Sequence, residues 1–109
     1  MKWGEVGYAG DSQAPGVMSD VFARVGGPDS SEVFSETMVM INSGWTIIDN
    51  TWLWRADHSV KGSVYNGHNP VRTGIVINGD NVIAYGLASE HTLGNLVEWN
   101  GDHGRTFFY

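Results

Sequence analysis

Hydrophobic and polar positions in this chain alternate or fall in short runs, and no stretch carries the three-to-four-residue spacing of an amphipathic helix. The clearest runs come in pairs. Val39, Met40 and Ile41 end in Asn42-Ser43 and are followed by Thr46, Ile47 and Ile48. Ile75, Val76 and Ile77 end in Asn78-Gly79 and are followed by Val82, Ile83, Ala84 and Tyr85. Val97, Glu98 and Trp99 end in Asn100-Gly101 and are followed by Arg105, Thr106, Phe107, Phe108 and Tyr109. An apolar run, an asparagine, a small residue and a second β-rich run, repeated every twenty to thirty-odd residues, mark a solenoid. Equivalent residues of such a stack lie about 4.8 Å apart, one strand spacing. Asn42, Asn78 and Asn100 are then expected to form a ladder at one turn, where asparagine tolerates left-handed backbone and its amide bonds to neighbouring levels.

The repeat divides one domain, 1–109, into coils. Residues 1–19 read as an irregular lead-in, and a first coil spans 20–27, with Gly26-Gly27 where an asparagine stands later. A linker follows at 28–32, then coils at 37–58 and 73–91, separated by a loop at 59–72 rich in Gly, Ser, Asn and Pro. The last coil starts near Leu96 and runs to the aromatic strand 106–109. That strand is no cap, so the chain is expected to be a fragment of something larger, or to pair with another copy through this edge.

Composition excludes several classes. The chain of 109 residues is 41% hydrophobic and carries five tryptophans, which is not the make-up of a disordered segment. Its formal charge of −6 is scattered and no basic stripe exists, which argues against nucleic-acid binding. With no cysteine there is neither a disulfide framework nor a thiolate metal site. No apolar run reaches the ~18–20 residues needed to cross a membrane, and residues 1–5 do not resemble a signal peptide. No cofactor is implied.

The candidate chemistry is a repeated acid–histidine pair, Asp57-His58 and Glu90-His91, spaced by 33 residues. Simple strand alternation puts Trp52, Trp54, Ala56 and His58 on one side, matched by Tyr85, Leu87, Ser89 and His91, and that set is apolar enough to point inward. Leu53, Arg55 and Asp57, matched by Gly86, Ala88 and Glu90, then point to solvent. Asp57 and Glu90 become neighbours beside Arg55, and mutual repulsion raises the pKa of one of them. Such a pair suits a solvated charge ladder with Arg55 as counter-ion, a polysaccharide site with one protonated and one ionised carboxyl, or a hard-cation site. Two histidines without a third strong ligand do not make a zinc site. Trp45, after the asparagine turn, and Tyr65, in the long loop, are the aromatic candidates for stacking on a sugar, whereas Trp52 and Trp54 are expected in the core. His68 and His103 have no evident partner. No phosphate loop or nucleophile elbow is present.

Four stretches resemble a known family: Ser19-Asp20-Val21-Phe22-Ala23-Arg24-Val25-Gly26-Gly27, Trp52-Leu53-Trp54-Arg55-Ala56-Asp57-His58, Tyr85-Gly86-Leu87-Ala88-Ser89-Glu90-His91 and Trp99-Asn100-Gly101-Asp102-His103-Gly104-Arg105-Thr106. They are similar to secreted bacterial and fungal proteins of the pectate-lyase type, relatives of β-1,3- and α-1,3-glucanases. The resemblance covers nearly all of the chain after residue 14. It implies an all-β, right-handed parallel β-helix, here of about four coils, an extracellular parent, and a polysaccharide (β- or α-glucan) partner. The fold alone does not fix an activity. Three readings follow. In a glycoside hydrolase, Asp57 and Glu90 are the catalytic carboxylates, with Arg55, His58, His91, Trp45 and Tyr65 around the substrate. In a binding module, the same groove holds glycan without cleaving it. In a structural element, uncapped ends make a homo-oligomer.

Overall fold

The computed structural model describes residues 1–27, 31–58 and 67–109, so most of the linker and loop calls, and Tyr65, lie outside the described residues. The described chain is all-β, with nine strands: β1 (Lys2–Trp3), β2 (Gly16–Ser19), β3 (Phe22–Val25), β4 (Ser35–Ile41), β5 (Thr46–Arg55), β6 (Val71–Ile77), β7 (Ile83–Glu90), β8 (Val97–Trp99) and β9 (Arg105–Phe107). Among the described residues no helix is long and apolar enough to cross a membrane. The stretch 1–19, read from sequence as irregular, holds β1 and β2.

Every pairing is parallel, and the strands form two sheets. The first runs β1-β4-β6-β8; the second runs β2-β5-β7-β9, with β3 also paired to β5. From β4 onward successive strands alternate between the sheets, because a parallel neighbour can be reached only by a crossover. The register repeats the sequence periods: Ile41 faces Ile77 and Ile77 faces Trp99, steps of 36 and 22 residues. Between the sheets lies the core. Val39, Ile41, Ile75 and Ile77 of the first sheet meet Ile48, Leu53, Ala84 and Leu87 of the second, with Val82 just before β7, and all are buried. β-Branched and aliphatic side chains suit a strand buried on its inner face.

At the turn joining the sheets, the Nδ2 of Asn42 donates to the Gly4 carbonyl (3.3 Å), that of Asn78 to Asn42 Oδ1 (3.1 Å) and that of Asn100 to Asn78 Oδ1 (2.9 Å). The expected asparagine ladder is therefore formed. The residue after each asparagine must be small. A Cβ on Gly79 would run into the Ser43 carbonyl, and one on Gly101 into the Gly79 carbonyl.

A second column of special backbone crosses the other sheet. Asn50 in β5 (φ 51°) and Gly86 in β7 (φ 62°) are left-handed, as are Asp20 between β2 and β3 (φ 54°) and Phe108 after β9 (φ 58°). The ladder puts these four side by side, since Ser19 faces Asp49, Asp49 faces Tyr85 and Tyr85 faces Phe107. The amide of Asn50 donates to Asp20 Oδ1 at 2.6 Å. Asp, Asn and Gly are the residues that enter this conformation at low cost; Phe108 is the exception. The kink shifts the alternation by one. In β5 Thr46 and Ile48 point inward before it, and Thr51, Leu53 and Arg55 after it.

Candidate functional site

That parity shift corrects the sequence expectation. Leu53 and Arg55, expected outside, are buried at 0% and 2% exposure, while Trp52, expected in the core, is 40% exposed. Trp54 is half-buried, facing out from the same side. Leu87 and Ser89 are buried as expected, but Tyr85 is exposed. Strict alternation fails because it passes over Asn50 and Gly86.

The outer face of β3-β5-β7 thus carries an aromatic and charged patch. Register places Phe22, Trp52 and Ala88 in one row, and Arg24, Trp54 and Glu90 in the next. The Trp52 and Trp54 rings stack at 5.0 Å between centroids and 17° between planes. The Arg24 guanidinium carbon lies 5.0 Å from the Trp54 ring centroid, a cation–π contact. Phe22, Ala23, Arg24, Trp52 and Trp54 line a shallow depression of about 330 Å³.

Two carboxylates border this patch, though not as paired rungs. Glu90 faces Trp54, so the strands are offset by 36 residues, whereas the acid–histidine pairs are spaced by 33. Asp57 lies beyond the end of β5 and turns back along it. Its Oδ1 accepts from Trp54 Nε1 (3.2 Å) and lies 2.9 Å from His58 Nδ1. The hydrogen bond from His58 holds the Asp57 carboxyl below its usual value; partial desolvation opposes this, and the charges of His58 and His91 add to it. Glu90 Oε2 lies 4.0 Å from His91 Nδ1.

Arg55 is not a surface counter-ion. Its Nε donates to the His68 and Asn69 carbonyls (both 3.1 Å), its Nη2 to the His68 carbonyl (2.7 Å) and its Nη1 to the His91 carbonyl (3.1 Å). Burial pushes its pKa down, yet a guanidinium so bonded stays charged. Trp45 is separated from Trp54 by the length of β5, up to about 30 Å at 3.3 Å per residue. It sits in the asparagine turn with φ 46° and is not brought to the patch. His103 lies in an exposed turn. Among the described residues no group of three or more His, Cys, Asp or Glu could hold a metal ion. Sequence reasoning missed Phe22, Arg24, Trp52 and Trp54 as surface residues. The available signal was Asp20, Asn50 and Gly86, left-handed-tolerant residues at the repeat spacing.

The chain is 42% identical over 107 residues to an exo-beta-1,3-glucanase of Streptomyces sp. (strain SirexAA-E / ActE), a match that spans 97% of this chain and 17% of that relative. No solved structure gives a significant match. The family profile of the LAM55 pectate lyase-like domain matches residues 3–109. Matched over almost its whole length, the chain belongs to the LAM55 pectate lyase-like domain family.

Proposed function

We propose that the two sheets are the walls of a right-handed β-helix of about four coils, and that the chain is part of a secreted glycoside hydrolase acting on β-1,3-glucan. One observation carries the reading. A stacked, outward-facing tryptophan pair is bordered by two carboxylates, in a chain similar to a protein described as an exo-beta-1,3-glucanase. Aromatic faces pack against the C–H faces of sugars, and a few polar groups fix orientation. Asp57, held ionised by His58, is suited to stabilise positive charge or to activate water; Glu90 is the general acid. His58 tunes the Asp57 carboxyl, and Trp45 is an outlying sugar contact. In the full-length protein, Glu90→Gln and Asp57→Asn should each lower turnover of β-1,3-gluco-oligosaccharides at least about 100-fold, as removal of an acid–base group does. Wild-type turnover by both variants would end the proposal.

A second reading is a binding surface without chemistry. It is favoured by the exposed, stacked Trp52–Trp54 pair, which can hold a sugar face with no acid–base group involved. Oligosaccharide binding at the tryptophan pair, seen by indole fluorescence with no new reducing ends, would select it. A third is self-association through β9 and the residues after it, where Phe107, Phe108 and Tyr109 are exposed; a clean monomer by light scattering would exclude it.

A further inference from the structure

Among the described residues Arg55 is the largest side chain to be buried this fully, at 2% exposure, and the only buried side chain that carries a charge. Burying an ion is costly, and an apolar side chain of similar size would fill the same space without that cost. What an apolar side chain cannot do is hold backbone carbonyls. Arg55 holds three. Two belong to residues in left-handed turns, Asn69 (φ 51°) and His91 (φ 63°); the third is that of His68. One turn enters β6 and the other leaves β7. Arg55 stands one residue past Trp54, whose register partner is Glu90, so the bond to the His91 carbonyl crosses directly from β5 to β7. On the other side the Ala56 amide donates to the Val25 carbonyl at 2.9 Å. The end of β5 is thereby pinned to both neighbouring strands immediately before Asp57.

We infer that Arg55 is a positioning residue: it fixes the Glu90–His91 turn against the end of β5 and so sets the separation of the Asp57 and Glu90 carboxyls. This rests on the reading of those two carboxylates above. Carboxyl separation matters in that chemistry, because about 5–5.5 Å serves a covalent displacement and about 6.5–9.5 Å leaves room for a water. A misplacement of about 1 Å can cost about 100-fold in rate. A merely structural arginine would lower stability and leave the chemistry of the surviving fold untouched.

The test is Arg55→Lys in the full-length protein, with kcat, KM, the pH–rate profile and Tm measured together on a β-1,3-gluco-oligosaccharide. Lysine keeps the charge and its length but cannot span the three carbonyls as a fork. The expected result is a kcat at least about 10-fold lower, KM within about twofold, since the sugar platform is untouched, and a displaced pH–rate profile. An unchanged kcat and profile with a lowered Tm would overturn the inference, and so would failure of the lysine variant to fold, since stability would then be its role. Glu90→Gln and Asp57→Asn, measured in parallel, separate the two levels. If both keep wild-type turnover, the carboxylate reading falls. If they lose it while Arg55→Lys does not, only the positioning role falls.

Discussion

The two repeated turns of this chain look equally regular in sequence and are built differently. At the asparagine turn each asparagine amide donates to the level before it: Asn42 to the Gly4 carbonyl, then Asn78 to Asn42 Oδ1 and Asn100 to Asn78 Oδ1. The backbone amides repeat as well, with Asn42, Asn78 and Asn100 donating to the carbonyls of Trp3, Ile41 and Ile77. At the acid–histidine turn each carboxylate instead has a local partner, Asp57 with Trp54 and His58, Glu90 with His91. The first turn fixes register; the second decorates strands whose register is set elsewhere. Sequence similarity between levels therefore reports alignment only where the repeated residue bonds to its own copy.

The largest effect should come from tightening the first turn. Gly79→Ala drives a Cβ into the Ser43 carbonyl, and backbone on both sides has nowhere to rotate. A loss on the order of 3 kcal/mol is expected, at the upper end of overpacking costs, read as a lower urea midpoint. An unchanged midpoint would mean that the levels are not in close contact there. Asn78→Ala should come next. It removes one bond to Asn42 and one from Asn100, so about 2 kcal/mol is expected at about 1 kcal/mol per bond. The comparison sharpens if Glu90→Ala, at the second turn, leaves the midpoint within about 0.5 kcal/mol, as surface substitutions usually do.

Much of the fold was legible because its stabilising pattern is local and repetitive. The apolar–asparagine–small motif located β4, β6 and β8, and the asparagines stack as that motif demands. The site was less legible because it depends on one backbone dihedral. Alternation from Thr46 onward places Trp52 and Trp54 inside; a single left-handed residue at Asn50 turns them out and brings Leu53 and Arg55 in. An Asn in an apolar strand is compatible with many conformations, so the kink shows only when Asp20, Asn50 and Gly86 are compared at the repeat spacing. The polar look of Arg55 was misleading for a second reason. Its partners among the described residues are backbone carbonyls, which no sequence pattern displays.

That kink column supplies a smaller test. Gly86→Ala is the same substitution as Gly79→Ala, but the nearest atoms to its Cβ are Asn50 backbone at 3.9 Å, an ordinary contact. Only the left-handed backbone (φ 62°) resists it, at about 1–2 kcal/mol. A larger loss at Gly86 than at Gly79 would invert the account of which column bears close packing. Trp52 fluorescence should be unchanged in Gly86→Ala if β5 keeps its own kink at Asn50.

The smallest expected effect lies at the second turn and concerns protons. Asp57 has its folded pKa lowered from 3.8, chiefly by the hydrogen bond from His58. A carboxyl depressed in this way favours the folded state above its unfolded pKa, and that contribution disappears as pH falls through the lower, folded value. The window is thus below about pH 3.8. His58→Ala removes the main cause, so the Asp57 carboxyl, followed by its 13C shift, should titrate closer to 3.8 than in the wild type. Because the side chains are open to solvent, the midpoint for unfolding at neutral pH should barely move, in contrast to Asn78→Ala. If His58→Ala leaves the Asp57 titration where it was, the local pairing is not what holds that carboxyl ionised, and the second turn must owe its electrostatics to a neighbouring level, as the first turn owes its hydrogen bonds.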